Sequence, residues 1–220
     1  MLSVADLLAD GPITANYFSS DVYVRGITEL GLLENRRGDR LLALPRTLIK
    51  AIYAGLEQET GQAAMLVLNN CGRWWGKNFY SRFCEELNDY HRRPIADLSM
   101  AEFVQALQEC WRTHGWGEVA LDATYRPKGF LIIEVTGSAF VADAPQTNHP
   151  VCYVEAGVLQ SFFSQLTGRD LHCVQTACES MGQDRNQFII GLEKRLKPGE
   201  EWVNQGRSHT DIMEELVRAA

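Results

Sequence analysis

After Gly115 the spacing of apolar residues changes from three-and-four to two, and that change confines the chain to a fold mixing helices with a sheet. Three helical patterns precede it. "GDRLLALPRTLIKAIYAGLEQETG" runs from a short apolar segment into a helix: Pro45 suits the first turn, Leu48, Ile49, Ile52 and Leu56 make one apolar face, and Gly61 fits the stop. Gly55 inside it costs about 1 kcal/mol relative to alanine. The second pattern covers 63–87, where Leu68, Cys71, Trp75, Phe79 and Phe83 recur at helical spacing and make one face unusually aromatic. The third starts at Ser99, which forms a capping box with Glu102; Phe103, Leu107, Cys110 and Trp111 are its apolar stripe and Gly115 its stop.

Beyond the switch, "GEVALDATYRPKGFLIIEVTGSAFV" reads as an antiparallel hairpin around Arg126-Pro127-Lys128-Gly129. "CYVEAGVLQSFFSQLTG" returns to helix, with Val154, Val158, Phe162 and Leu166 on one face and Gly168 just past its end. A strand near 171–178, a turn at Met181-Gly182, a strand from about 187 to 192 and a short helix near 210–219 complete the order. That order predicts an α+β fold with an antiparallel sheet. No repeat, low-complexity tract or linker divides the chain, so a single domain over 1–220 is expected, its N-terminal helical part ending near 114.

A formal charge of -7 supplies no basic footprint for nucleic acid. The N-terminal "MLSVADLLADGPITANYF" has neither a basic n-region nor a long apolar core, and no run of about 18 apolar residues occurs, so neither an export signal nor a spanning helix is expected. A cytoplasmic protein is the expectation, with peripheral membrane contact left open. Its six cysteines, none in a CxxC, are expected to be reduced thiols.

Strict alternation along 171–178 puts Leu171, Cys173, Gln175 and Ala177 on one face and His172, Val174, Thr176 and Cys178 on the other. Cys173 and Cys178 thus point apart, unless a bulge intervenes. The stretch "HPVCYVEAGVLQSFFSQLTGRDLHCVQTACESMGQDRNQFIIG" resembles the V4R (4-vinyl reductase) domain. The shared elements are a cysteine before a glycine-containing helix, a glycine closing that helix and a hairpin with a glycine turn. The resemblance covers 115–192 best; "GDRLLALPRTLIKAI" and the G-x-x-x-G of Gly72 and Gly76 are similar to N-terminal elements of the same superfamily.

V4R sensor domains carry a zinc-ligand pattern of Cys, then Glu-x-x-Cys, then a further Cys. The positions matching it here are Cys152, Gln175, Cys178 and Asn186. An amide replaces the carboxylate and another replaces the last thiolate, so charge to offset Zn²⁺ is lost and zinc is not expected. The alternative to a metal is that Cys152 and Cys178 are small buried hydrophobes while Gln175 and Asn186 bridge the hairpin by hydrogen bonds. His172 or His149 could replace a lost ligand, although alternation turns His172 away from Gln175.

The resemblance further implies a domain that dimerises and encloses a small apolar ligand. The aromatic residues Trp74, Trp75, Phe79 and Phe83 are the candidate ligand wall, since adjacent tryptophans on one helix cannot both face the same core. A flat, chlorophyll-like tetrapyrrole would suit such a wall. Because one family branch is linked to bacteriochlorophyll synthesis and cyanobacterial members resemble photosystem assembly factors, the leading reading is non-enzymatic. It is a homodimeric ligand-binding protein that serves assembly or delivery for photosynthetic complexes such as photosystem II, at the thylakoid surface. The alternatives are a vinyl reductase or its accessory subunit, and a zinc-stabilised sensor or scaffold.

None of the five histidines, His91, His114, His149, His172 and His209, has metal-motif spacing, and nothing selects one as an axial ligand to a pigment magnesium. "GWGEVA" mimics a dinucleotide fingerprint but follows a helix and opens a strand, the reverse of the required context. No spacing singles out a catalytic triad.

Overall fold

The computed structural model describes residues 17–141 and 147–219; most of the N-terminal stretch read above for an export signal, residues 1–16, lies outside them. In chain order the described elements are helix α1 (Ser20–Tyr23), strands β1 (Arg25–Ile27), β2 (Leu32–Glu34) and β3 (Arg40–Leu41), helices α2 (Arg46–Thr60), α3 (Ala63–His91) and α4 (Met100–Thr113), then β4 (Glu118–Asp122) and β5 (Leu131–Thr136). Helix α5 (Tyr153–Thr167), β6 (Leu171–Ala177), β7 (Asn186–Leu192), α6 (Glu193–Asn204) and α7 (His209–Arg218) follow. The α+β architecture with antiparallel pairing is as the sequence predicts. Two compact units form: the chain up to Ala43 with Arg82–Trp116, and Leu44–Ser81 with Gly117–Ala220. Helix α3 contributes to both. Among the described residues no helix is long and apolar enough to cross a membrane.

The first unit is organised by aromatic rings. Phe83 stacks on Phe18 with centroids 5.4 Å apart and meets Phe103 edge-on, while Tyr17 and Tyr23 add edge contacts around Phe18. The sequence did not announce its small antiparallel sheet, β1-β2-β3, because strands of two or three residues are too short to show alternation. Asn35 ties the β2–β3 turn by accepting from the backbone N–H groups of Arg37 and Asp39, and its side-chain amide donates to the buried Glu86 at 3.0 Å. Burial pushes the Glu86 carboxyl up to about 7, although the Tyr23 hydroxyl and the charges of Arg82 and Arg37 pull it down. The Ser99–Glu102 capping box opens α4 as expected, both of its hydrogen bonds being present.

In the second unit the sheet order is β4-β5-β7-β6, every neighbour antiparallel, which leaves β6 at an edge. On one face Phe130, Ile132, Val174 and Ile189 pack with Leu196 of α6 and Ile212, Met213 and Leu216 of α7. The opposite face carries Ile133, Val135, Cys173, Phe188 and Ile190 and is covered by α5, whose Leu159, Phe162 and Phe163 are buried. Helix α6 follows directly on β7 and was not expected from a segment containing Pro198-Gly199, a pair that reads as a breaker. Leu196, which has no exposed surface, supplies the anchor that holds this helix.

The stripe expected on α3 is corrected. In the part belonging to this unit the buried positions are Ala64, Leu68, Gly72 and Gly76, each four residues from the last, whereas Cys71 is exposed. The reason is backbone proximity to α5: a Cβ added at Gly72 would lie 2.1 Å from the Val154 carbonyl oxygen, and one at Gly76 2.6 Å from that of Val158. From the other side, a Cβ on Gly157 would lie 2.2 Å from the carbonyl oxygen of Asn69. Three glycines thus let two helices touch main chain to main chain. The apolar face predicted for α2 is covered only in part among the described residues: Leu48 is 40% and Ile52 44% exposed, Ile49 and Leu56 are half-buried, and none of the helix's residues is fully buried.

Candidate functional site

The four positions singled out by spacing converge. Cys152 caps the start of α5, Gln175 and Cys178 lie at the end of β6, and Asn186 begins β7. What brings Gln175 and Cys178 to one side is a bulge: Gln175 pairs with Phe188 and Ala177 with Gln187, so the pairing skips Thr176 and the alternation slips by one. The Gln175 side-chain oxygen accepts from the Cys152 N–H at 2.9 Å, and its amide nitrogen donates to the Ala177 carbonyl and to Asn186 Oδ1. Asn186 Oδ1 also accepts from the Glu179 N–H, while its amide donates to the Val135 carbonyl and to the Glu179 carboxylate. The sulfurs of Cys152 and Cys178 lie 3.7 Å apart, and the Ser180 hydroxyl donates to Cys178 Sγ at 3.0 Å.

This donor set does not fit zinc. Both amide oxygens already accept main-chain N–H groups, leaving two sulfurs where zinc takes four thiolate, imidazole or carboxylate ligands. Among the described residues no three of His, Cys, Asp and Glu gather around a common point. The two thiols differ in environment. Burial, followed by its hydrogen bond with Cys178 and the nearby Glu155 charge, pushes Cys152 well above the ordinary thiol range. Cys178 is pulled down to about 6, first by the hydrogen bond from Cys152 and then, against burial, by those from Ser180 and the backbone.

Beside this cluster runs a groove of about 590 Å³ along the open edge of β6. Its walls are Met65, Leu66, Asn69 and Arg73 of α3, Tyr153, Ala156 and Gln160 of α5, and Glu200 and Val203 of α6; Gln175 forms its contact with the cysteine cluster. The N–H of Leu171 donates to Ser164 Oγ at 3.1 Å, so this residue turns its main-chain groups away from β7. Antiparallel alternation then turns those of Cys173 and Gln175 to the same open side. Burial pushes Tyr153 up to about 12, so its hydroxyl stays a neutral donor. On the far wall His172 Nε2 lies 2.6 Å from Glu200 Oε1, which holds the Glu200 carboxyl below its usual range.

The aromatic residues predicted as a ligand wall are not brought together on this groove. Trp74 is 74% exposed, Trp75 packs on Phe140, Phe79 leans on Phe162, and Phe83 belongs to the aromatic core of the first unit. Of the histidines, His149 and His172 line the groove, His114 stacks on Trp116, and His209 Nδ1 lies 2.6 Å from Thr176 Oγ1. Sequence reasoning missed Asn69, Arg73, Gln160 and Glu200, for which no local motif exists.

Comparison with known proteins places the site in context. Residues 131–192, which contain all four converging positions, match the V4R domain family. No curated protein matches the chain. Among solved structures the fold is similar to the phenol-responsive sensory domain of the transcription activator PoxR with phenol, at 16% identity and a TM-score of 0.60, covering 86% of this chain and 94% of that one. Weaker likenesses are to a vinyl-4-reductase family protein from Methanocaldococcus jannaschii (12% identity, TM-score 0.47, 68% and 82% covered) and to a trafficking protein particle complex subunit 3 from Naegleria fowleri covalently bound to palmitic acid (11%, 0.48, 67% and 93%).

Proposed function

We propose that this chain is a non-enzymatic, V4R-type module that binds an organic small molecule in the groove along β6. The observation that carries the reading is the groove itself: its volume of about 590 Å³ falls within the range of about 300–1,000 Å³ usual for ligand sites. It combines apolar wall (Met65, Leu66, Ala156, Val203) with a few convergent polar groups, among them Arg73, Tyr153 and Gln160. Likeness of fold to a phenol-responsive sensory domain supports the same class. Within it, the ligand we put forward is a tetrapyrrole carboxylate: Arg73 offers a cation for the carboxylate, and the amides of Asn69 and Gln160 can donate to the carbonyl groups at the ring periphery. Its work would be assembly or delivery for photosynthetic complexes such as photosystem II, in the cytoplasm at the thylakoid surface. The apolar residues that α2 and α3 leave exposed, Leu48, Ile52, Leu66 and Trp74, support a homodimer.

The test is an absorbance and fluorescence titration of the full chain with chlorophyllide and with phenol, repeated on Arg73→Ala. A saturable one-to-one shift with chlorophyllide, weakened about tenfold or more by the substitution, is expected. Saturable binding of phenol alone keeps the ligand class and removes the tetrapyrrole. Flat titrations with both overturn the reading.

A further inference from the structure

We infer that Cys152 and Cys178 form a peroxide-reactive dithiol that closes to an intramolecular disulfide. The inference goes beyond small-molecule binding and stands on different atoms. The two sulfurs come from distant parts of the chain, the start of α5 and the end of β6, yet lie 3.7 Å apart in contact with each other. A disulfide needs about 2.05 Å between sulfurs. The remaining gap is within the swing of two side chains, since a sulfur moves by more than that on rotation about χ1.

Most of the surrounding network is independent of the thiols. Asn186 Oδ1 receives the Gln175 amide and the Glu179 N–H, and Gln175 Oε1 receives the main-chain N–H of Cys152 rather than its sulfur. Closing the disulfide therefore removes one weak S–H donor contact to Asn186 and leaves the amide scaffold intact. Neither sulfur is exposed, but the groove reaches their surroundings: Tyr153, which follows Cys152, and Gln175, which bonds to it, both line its wall. Hydrogen peroxide is small enough to reach the pair from the groove once the Tyr153 and Gln175 side chains fluctuate.

The chemistry balances with a hydroperoxide as the named oxidant. Cys178, whose sulfur accepts the Ser180 hydroxyl, attacks one peroxide oxygen as thiolate; the O–O bond breaks, a sulfenic acid forms, and the departing hydroxide takes up a proton to become water. Cys152 then attacks the sulfenic sulfur, the S–S bond forms, and the sulfenic oxygen leaves as a second water. Two thiols are oxidised and one peroxide is reduced. A dithiol reductant reverses the step by exchange through a mixed disulfide.

The remaining cysteines provide the control, above all Cys71, which is exposed. The fully reduced chain is exposed to increasing hydrogen peroxide, its thiols are blocked after unfolding, and peptides are mapped without reduction. The expected result is a 152–178 linked peptide lighter by two hydrogens, four of the six thiols still blocked, and full recovery of six after dithiothreitol. Cys152→Ser should trap Cys178 as a dimedone-reactive sulfenic acid. If that variant does not fold, the wild-type map decides alone. Peroxide doses that oxidise Cys71 while Cys152 and Cys178 remain blockable overturn the inference, as do cross-links that join other cysteines and omit this pair.

Discussion

Gly157→Ala is the most direct test of how the second unit is held together. In an unconstrained helix alanine is favoured over glycine by about 1 kcal/mol. Here the new methyl would sit 2.2 Å from the Asn69 carbonyl oxygen and 2.8 Å from the Arg73 nitrogen, both main-chain atoms of α3 that cannot swing aside. Restoring an ordinary contact of 3.4 Å means parting α3 and α5 by about 1 Å. With roughly 30 atom pairs across such a contact at about 0.15 kcal/mol each, a gap of that size forfeits up to half, or about 2 kcal/mol. Backbone and rotamer strain adds about 1–2 kcal/mol. Less the helix-propensity gain, the net loss is about 2–3 kcal/mol, or a fall of about 5–10 °C in Tm for a chain of this length. Gly55→Ala is the internal control: it also lies in a helix, but a Cβ there meets nothing within 4 Å, so a gain of about 0.5–1 kcal/mol is expected. Urea unfolding followed by circular dichroism reads both. A Gly157→Ala midpoint at or above wild type, or equal losses from the two substitutions, would refute the main-chain contact.

Three further outcomes follow from the geometry. Because burial raises Glu86 from 4.5 to about 7, the folded state holds its proton more tightly than the unfolded chain; the resulting stabilisation of roughly 2–3 kcal/mol is present below pH 4.5 and lost as pH rises to 7. Glu86→Gln should flatten that part of the pH–stability curve and raise the unfolding midpoint at pH 8, and an unchanged slope between pH 5 and 8 would count against it. Ser99→Ala removes a cap whose hydroxyl accepts the Glu102 N–H, and should lower stability by about 1 kcal/mol in the same urea assay; Ser99→Gly should lower it by only a few tenths. Restoring both ionisable ligands in Gln175→Glu with Asn186→Cys should turn the cluster into a zinc site. Elemental analysis should find about one zinc per chain in the double variant and far less in wild type, and equal metal in both would contradict the reading of the donor set.

Much of the fold was legible because the relevant forces act locally. A helix declares itself through a period of 3.6 and a strand through a period of 2, so α2, α4, α5 and the two hairpins of the larger sheet could be placed before any coordinate was known. The capping box at Ser99 needs only the residues within one turn. The spacing of Cys152, Gln175, Cys178 and Asn186 was likewise visible as spacing, although strict alternation set Gln175 and Cys178 on opposite faces. Only the bulge at Thr176, a product of how β6 pairs with β7, turned them together. The buried stripe of α3 was misread for a related reason: aromatic residues dominate any hydrophobic pattern, while Gly72 and Gly76 carry no side chain to signal that main chain is about to meet main chain.

The sequence by itself determined which segments become helices and strands and which residue types could meet a metal, because propensity, capping and alternation are properties of neighbours along the chain. Tertiary structure alone decided that two sulfurs lie in contact and that two amides satisfy each other. It also decided that a groove opens between α3, α5, β6 and α6, since those surfaces come from segments far apart in the chain and are joined only when their apolar faces pack.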